Sequence, residues 1–326
     1  MRAFSFKLII LSFLILCGFL LFSFLGDPVI SLRALFDSAA TMDRFVLLQL
    51  RLPKLVLAFV IGAALSVSGV SFQSLLKNPL ADPYILGISG GAALGYVLAV
   101  VLGLPFIIVP VAGFIFALLT LLLIYRLACT SGVLSVVNLL LIGIVFNAFS
   151  FALILLVNSL ANFGQAQQIL YLLLGSVDPI AWARLLVILA FVIVGLVILF
   201  FQSKKLNVLS LGDEEAHHLG LNVNREKKII FVITSLLVGA SVSVCGLIGF
   251  IGLIVPHITR LLFGADNRRV LPISALLGGL LLMTCDFVAG NLFSFDTLNT
   301  RLPVGAITAL IGAPLFVWLL KRQIRT

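Results

Sequence analysis

Charge is what this chain has least of. Only 10% of its 326 residues are Asp, Glu, Lys or Arg, whereas a soluble globular domain carries roughly 25%. With 62% of residues hydrophobic and a mean hydropathy of +1.28, a single water-soluble core is excluded. Histidine is scarce as well: the three present are too scattered for a metal site. The four cysteines, Cys17, Cys129, Cys245 and Cys285, lie in or beside apolar runs without metal-ligand spacing and read as small packing residues. A glycine-rich phosphate loop ending in Gly-Lys-Ser/Thr is missing, so any ATP-driven engine must be another chain. A membrane-embedded enzyme would need a cluster of nucleophile, base or metal ligands at bilayer depth, and the sequence offers none. The net charge of +9 would suggest nucleic acid in a soluble chain; in a membrane chain its distribution between loops matters more.

What is present is a series of apolar runs, at about 8–25, 55–76, 86–125, 133–157, 180–201, 229–263, 271–293 and 303–320. One helical crossing takes about 20 residues, so the third and sixth runs are long enough for two passes each. Lys77 and Arg126 flank the first of these, and Lys227, Lys228 and Arg260 the second, so each leaves and returns to one side. Turns are expected at Gly103-Leu104-Pro105 and within the series Gly246, Gly249, Gly252 and Pro256. The fold class expected is an all-α polytopic membrane protein of about ten transmembrane helices. The first run lacks a small-x-small cleavage site and is read as a retained helix. Residues 27–49 read as a loop holding a short surface helix, and the uncharged stretch 158–168 as an external loop. With both termini cytoplasmic, only Arg33, Arg44, Arg51, Lys54, Arg184 and Arg301 of the 21 lysines and arginines fall outside, which satisfies the positive-inside rule.

The most informative stretch is 51–95, RLPKLVLAFVIGAALSVSGVSFQSLLKNPLADPYILGISGGAALG. Gly62, Ala63, Ala64, Ser66, Ser68 and Gly69 form a small-residue stripe that lets a neighbouring backbone approach closely. The break at Lys77-Asn78-Pro79 and Asp82-Pro83 belongs where water or protein satisfies its backbone. Shifted by 177 residues, Gly62, Ala63, Ser66, Val67, Gly69, Leu76 and Pro79 meet Gly239, Ala240, Ser243, Val244, Gly246, Leu253 and Pro256. The two copies would run in opposite directions, giving an inverted internal repeat (about 50–160 and 228–322) within one transmembrane domain spanning 1–326, as in many transporters. Asp286 is the one acid well inside an apolar run. A lone Asp there costs about 2.5 to 3.5 kcal/mol on insertion scales, so it is either a functional group or a cross-helix bond to Thr284, Asn291 or Arg301.

The segment 204–228, KKLNVLSLGDEEAHHLGLNVNREKK, reads as a loop with a short helix capped by Ser210 or Asp213, bracketed by Gly212 and Gly220, with Ala216 and Leu219 as its apolar edge. Too short to be stable alone, such a helix is expected to dock on something.

These motifs resemble the permease subunits of FecCD-type bacterial ABC importers for iron-siderophores, haem and cobalamin. Arg51-Leu52-Pro53-Lys54 matches the family's RLPR, residues 62–69 its GAALAxSG, and residues 78–92 its NPLADPxxLGxSxGA. Residues 246–260 match GxIGFIGLIVPHxxR, and residues 302–306 with 312–316 match LPVGxxTAxxGAPxF. The resemblance implies a homodimer with the substrate route on its axis, two ATP-binding subunits using ATP and Mg, and an extracytoplasmic substrate-binding protein. This chain itself would bind no cofactor and carry no catalytic residue or metal, in the bacterial cytoplasmic (inner) membrane.

By the same resemblance, Leu211, Gly212, Asp213, Glu214, Ala216, Leu219 and Gly220, with Leu209, form the coupling element that sits on the ATP-binding subunit. Asn78 and Leu80 with Ser135 and Val136 form the cytoplasmic gate. Asn138 and Asn147 on the same helix either face the route or make packing hydrogen bonds. Arg51 and Lys54 are implied to dock the binding protein. The sequence departs from the family at Gly290, where relatives often have Arg, and at Arg301, where they have an acid; Arg301 is the candidate replacement for the missing docking charge. The competing readings are an ion-coupled secondary transporter and an importer of an oxyanion such as molybdate.

Overall fold

The computed structural model describes residues 2–25, 41–130, 133–291 and 302–324. Helix α1 covers Arg2–Phe24. A short α2, Thr41–Phe45, runs through a π-helical turn, Val46–Arg51, straight into α3, Leu52–Leu75. Part of the stretch expected as loop is therefore the start of a long helix. Pro53 explains the widened turn, because its ring lacks an N–H and crowds the carbonyl four residues back, at Gln49.

After α3 the chain turns through a 3-10 segment, Pro83–Leu86, into α4, Ile88–Val101, and α5, Val109–Ala128. A two-residue antiparallel pair, Cys129–Thr130 against Val133–Leu134, leads to α6, Val136–Asn158. The remaining helices are α7, Phe163–Leu174; α8, Trp182–Phe201; α9, Ser203–Leu211; α10, Asp213–His218; α11, Val223–Cys245; α12, Ile251–Phe263; α13, Asn267–Asn291; and α14, Val304–Ile324.

The molecule is thus helical, and among the described residues six helices are long and apolar enough to cross a membrane. Four shorter apolar helices, within α1, α4, α12 and α14, accompany them. Both long apolar runs break where turns were expected, at 102–108 and 246–250. The uncharged stretch 158–168 departs from expectation. It holds the start of α7, whose first turn is closed by a reciprocal capping box: Asn162 accepts from Gln165 N–H, and Gln165 accepts from Asn162 N–H. The Gln165 amide also donates to Val100 O at 3.0 Å, fastening α7 to the end of α4.

Helix α3 is the central post. In its membrane-length window 89% of residues are buried, against 17% in α6. The small-residue stripe explains how this is possible where apolar area alone does not drive helices together. A Cβ on Gly62 would lie 2.2 Å from Gly278 O of α13, and one on Gly69 1.8 Å from Gly252 O of α12. The backbones touch there. On the stripe Ser66 donates to Gly62 O, and one turn on Ser71 donates to Val67 O, whereas the buried Ser68 hydroxyl has no hydrogen-bond partner among the described residues. Helix α1 lies against α13, with Phe22 stacked on Phe287 at 4.4 Å.

Candidate functional site

Two irregular backbone segments meet inside the bundle. The turn after α3 carries Lys77 in the left-handed region (φ 51), and the break before α12 carries Phe250 there (φ 69). Among the described residues these are the only non-glycine positions with positive φ. Such backbone is strained and persists where its surroundings over-determine it.

Tyr84 is one such constraint. Its hydroxyl donates to Ile248 O at 2.9 Å and accepts from Ile248 N–H at 3.0 Å, joining the turn after α3 to the break before α12. From the other side, Leu172 O accepts from Leu247 N–H, and Ser176 N–H donates to Cys245 O, so α7 secures the same break. Gly246 (φ 71) is required here, since a side chain would strike Leu172 O, 2.2 Å from the Cβ position.

Non-helical backbone at membrane depth is tolerated only inside protein or along a cavity. Here it borders a cavity of about 660 Å³ lined by Tyr84, Asn147, Phe151, Gly249, Phe250 and Ala306, among others. A larger cavity, about 1270 Å³, opens between α5, α7 and α8 and is lined by Tyr96, Phe114, Asp178, Arg184 and Phe191, among others. Among the described residues it touches the two broken segments only at Gly246, beside the end of α11 at Cys245. The smaller cavity is therefore the candidate route, because its wall contains both breaks.

The expected gate residues distribute along α6 and the turn. Asn78 Oδ1 accepts from Leu80 N–H at 2.9 Å and Asn78 O from Ala81 N–H, so Asn78 shapes the turn while Leu80 is exposed. Ser135 caps α6 by accepting from Asn138 N–H, and Val136 begins the helix. The turn meets α6 further along. Gly143 lies against Ile85 and Leu86, and the Asn147 amide donates to Tyr84 O at 2.6 Å. Asn147 thus makes the packing hydrogen bond and borders the cavity as well.

The coupling loop folds as two helices joined at Gly212. With φ 154 and ψ 161, Gly212 occupies backbone space that is essentially restricted to glycine. Neither expected cap holds: the Ser210 hydroxyl donates to Leu206 O in its own helix, and Asp213 lies inside α10 with Gly212 at the N-cap. Gly220 (φ 80) closes α10, with Leu221 N–H donating to Ala216 O and Gly220 N–H to His217 O, a Schellman arrangement. Leu209 and Ala216 are buried, while Leu211 is 66% and Leu219 65% exposed. The apolar edge expected from Ala216 and Leu219 is therefore divided, Ala216 inward and Leu219 outward. Glu214 and Glu215 face solvent.

Asp213 turns back onto its own chain, with Oδ1 2.9 Å from Lys77 Nζ and Oδ2 2.5 Å from Lys227 Nζ. Burial pushes this carboxyl up, but hydrogen bonds and charge from Lys227 and Lys77 outweigh that, and its pKa lies below the ordinary value. Nearby, Asn207 of α9 donates to Asp266 and accepts from Asn267 N–H, while Asn267 donates to Ser74 near the end of α3.

At the opposite end of α3, Asp286 has a partner not among those expected from the sequence. Lys54 Nζ lies 2.8 Å from Asp286 Oδ2, with side chains 14% and 8% exposed. Thr284 donates to Leu280 O and Asn291 to Phe287 O within their own helix. Arg51 donates to Ser23 O of α1. Both basic residues implied to dock a binding protein thus have partners within the chain. Arg301 lies outside the described residues. Among the described residues nothing lies within 4 Å of a Cβ placed on Gly290.

A bundle of membrane-length helices whose two broken segments meet along a cavity, with a docked surface helix at one end, defines a polytopic transport permease. The chain belongs to the FecCD transport family, whose model matches residues 9–322. It is 39% identical over 308 residues to the hemin transport system permease protein of Yersinia pestis, covering 92% of this chain and 90% of that one. It is also 39% identical to a vitamin B12 import system permease protein of Vibrio vulnificus, over 88% of this chain and 86% of the relative. A solved structure of a metal-chelate type ABC transporter in an inward-facing conformation superposes with a TM-score of 0.88 at 29% identity, covering 98% of this chain and 99% of that one.

Proposed function

We propose that this chain is the permease subunit of an ATP-driven importer moving a haem, cobalamin or iron-siderophore substrate across the bacterial cytoplasmic membrane. Two copies would enclose the route, each resting on an ATP-binding subunit, with a substrate-binding protein delivering cargo outside. In this reading ten helices cross the membrane with both termini cytoplasmic, and α3–α6 and α11–α14 form inverted repeats. The repeat departs from strict symmetry at its prolines: Pro79 lies in a turn and Pro256 within α12.

The observation that carries the reading is the exposed pair Leu211 and Leu219, flanking a short helix already anchored from behind by Ala216 and Asp213. An apolar edge on a charged loop is suited to a protein partner. The cargo class is supported by the relatives' names, hemin, vitamin B12 and iron chelate. Among the described residues the lining of the candidate route is mainly apolar and aromatic and holds no cationic side chain, which favours these cargoes over an oxyanion such as molybdate. Pairing of Asp286 with Lys54 also argues against an isolated acid relaying protons in a secondary transporter.

Docking is testable directly. Leu211→Glu and Leu219→Glu should each weaken co-purification of the ATP-binding subunit by about 30-fold or more, the effect of losing an interface hot spot, while membrane insertion is unchanged. Undiminished binding by both variants would remove the docking surface from the proposal.

A further inference from the structure

We infer that Asp213 is a positioning residue that ties the docking helix to the gate turn through Lys77, so that movement of α10 is transmitted to the segment 77–87. This rests on the importer reading above and assigns Asp213 a role distinct from contact with the ATP-binding subunit.

Three observations converge on this role. First, the two carboxylate oxygens divide between two parts of the chain. Oδ2 is held by Lys227, near the start of α11 with its side chain 4% exposed, while Oδ1 reaches Lys77 in the turn after α3. One oxygen is fixed to the frame and the other grips the turn. Secondly, Lys77 occupies a left-handed backbone position, φ 51, immediately past the end of α3. Glycine holds that conformation freely and lysine does not. A strained lysine there has a reason to persist if its ammonium is needed, and the ammonium is spent on Asp213.

Thirdly, the segment on each side of Asp213 is braced separately. Lys205 of α9 pairs with Glu226 of α11 at 2.8 Å, and Asn207 joins the α12–α13 turn, which in turn reaches Ser74. Helix α9 is thereby fixed to α11 and α13; α10, past the Gly212 break, is held to α11 through Lys227 and reaches the gate turn through a solvent-facing ion pair. Lys77 and Asp213 are 38% and 49% exposed in their side chains. Solvent-facing pairs are weak, so this one can be made and broken during a cycle without unfolding its surroundings. Glu214 and Glu215, exposed on the same helix, remain available to a basic partner surface.

The decisive variant is Lys77→Gly, which suits the left-handed backbone and removes the cation together with its side chain. Asp213→Asn also strips Lys227 of its carboxylate, so it serves as the second arm of a double-mutant cycle. The full chain would be assembled with its ATP-binding and substrate-binding partners in proteoliposomes. Uptake of haemin, cyanocobalamin or a ferric hydroxamate, whichever the unaltered complex accumulates, would be measured alongside ATP hydrolysis.

Lys77→Gly is expected to retain the ATP-binding subunit and its hydrolysis but to lower transport per ATP by about tenfold, a usual size for coupling between sites. In an Asp213→Asn background the same change should have no further effect. An unchanged transport-to-hydrolysis ratio in Lys77→Gly, or an equal further loss in the Asp213→Asn background, overturns the tie. So does loss of the ATP-binding subunit from Lys77→Gly, which would make the turn part of the docking contact. If the unaltered complex shows no ATP-dependent uptake, the importer reading itself fails and the tie fails with it.

Discussion

Gly69→Leu is expected to eliminate most of the folded protein from the membrane. The argument is geometric. A Cβ at Gly69 would lie 1.8 Å from Gly252 O and 2.6 Å from its carbonyl carbon, so the obstacle is backbone that cannot rotate aside. Relief would require separating α3 from α12, and α12 starts at the break that Tyr84 and Leu172 hold in place. Overpacking a close contact costs about 3 kcal/mol or more when the neighbour cannot yield, against a total stability of about 5–15 kcal/mol for a folded domain. Gly62→Leu should behave similarly, because its Cβ would meet Gly278 O at 2.2 Å. Gly290→Ala is the control, since among the described residues nothing lies within 4 Å of a Cβ placed there. Monodisperse yield after detergent extraction separates the cases: low for Gly69→Leu and Gly62→Leu, unchanged for Gly290→Ala. A normal yield of Gly69→Leu would mean that α3 and α12 do not touch as described.

Breaking the Lys54–Asp286 pair from one side is the second large effect. Lys54→Met leaves a largely buried carboxylate without its lysine, and Asp286→Asn leaves a largely buried ammonium without its carboxylate. Removing one partner of a buried pair costs about 3 kcal/mol or more, whereas replacing both with apolar residues of similar size is often neutral. Each single variant should therefore melt well below the parent in detergent, and Lys54→Met/Asp286→Leu should recover most of the loss. If the double variant is no better than the worse single, the two groups do not act as a pair. The same series separates structure from docking: a residue whose main role is to meet a binding protein would change delivery of cargo without changing the melt.

The features legible in the sequence are those set by local chemistry. Gly62, Ser66 and Gly69 announce a close helix contact because small residues at that spacing have little other use in a membrane helix. The breaks at 102–108 and 246–250 follow from run length and glycine. What the sequence conceals is the identity of partners brought together by the fold. Nothing near Gly69 names Gly252, and Lys54 reads as an external charge until α13 sets Asp286 beside it. Tyr84 was invisible for the same reason, since its role depends on Ile248. Helix α7 is different: Asn162 and Gln165 carry a capping-box spacing that was readable, but a stretch without charge or a long apolar run suggested loop. In the coupling loop the short helix was expected from composition. Which side faced out was not, because Ala216 and Leu219 are both apolar and only packing against α9 and α11 separates them.

The most direct test of the importer assignment is uptake by sealed vesicles containing this chain with its ATP-binding and substrate-binding partners. Haemin, cyanocobalamin, a ferric hydroxamate and molybdate would each be offered with ATP present or absent. Accumulation of one of the first three only when ATP is supplied is the predicted result. Accumulation driven by an ion gradient without ATP would contradict it and make the chain a secondary transporter.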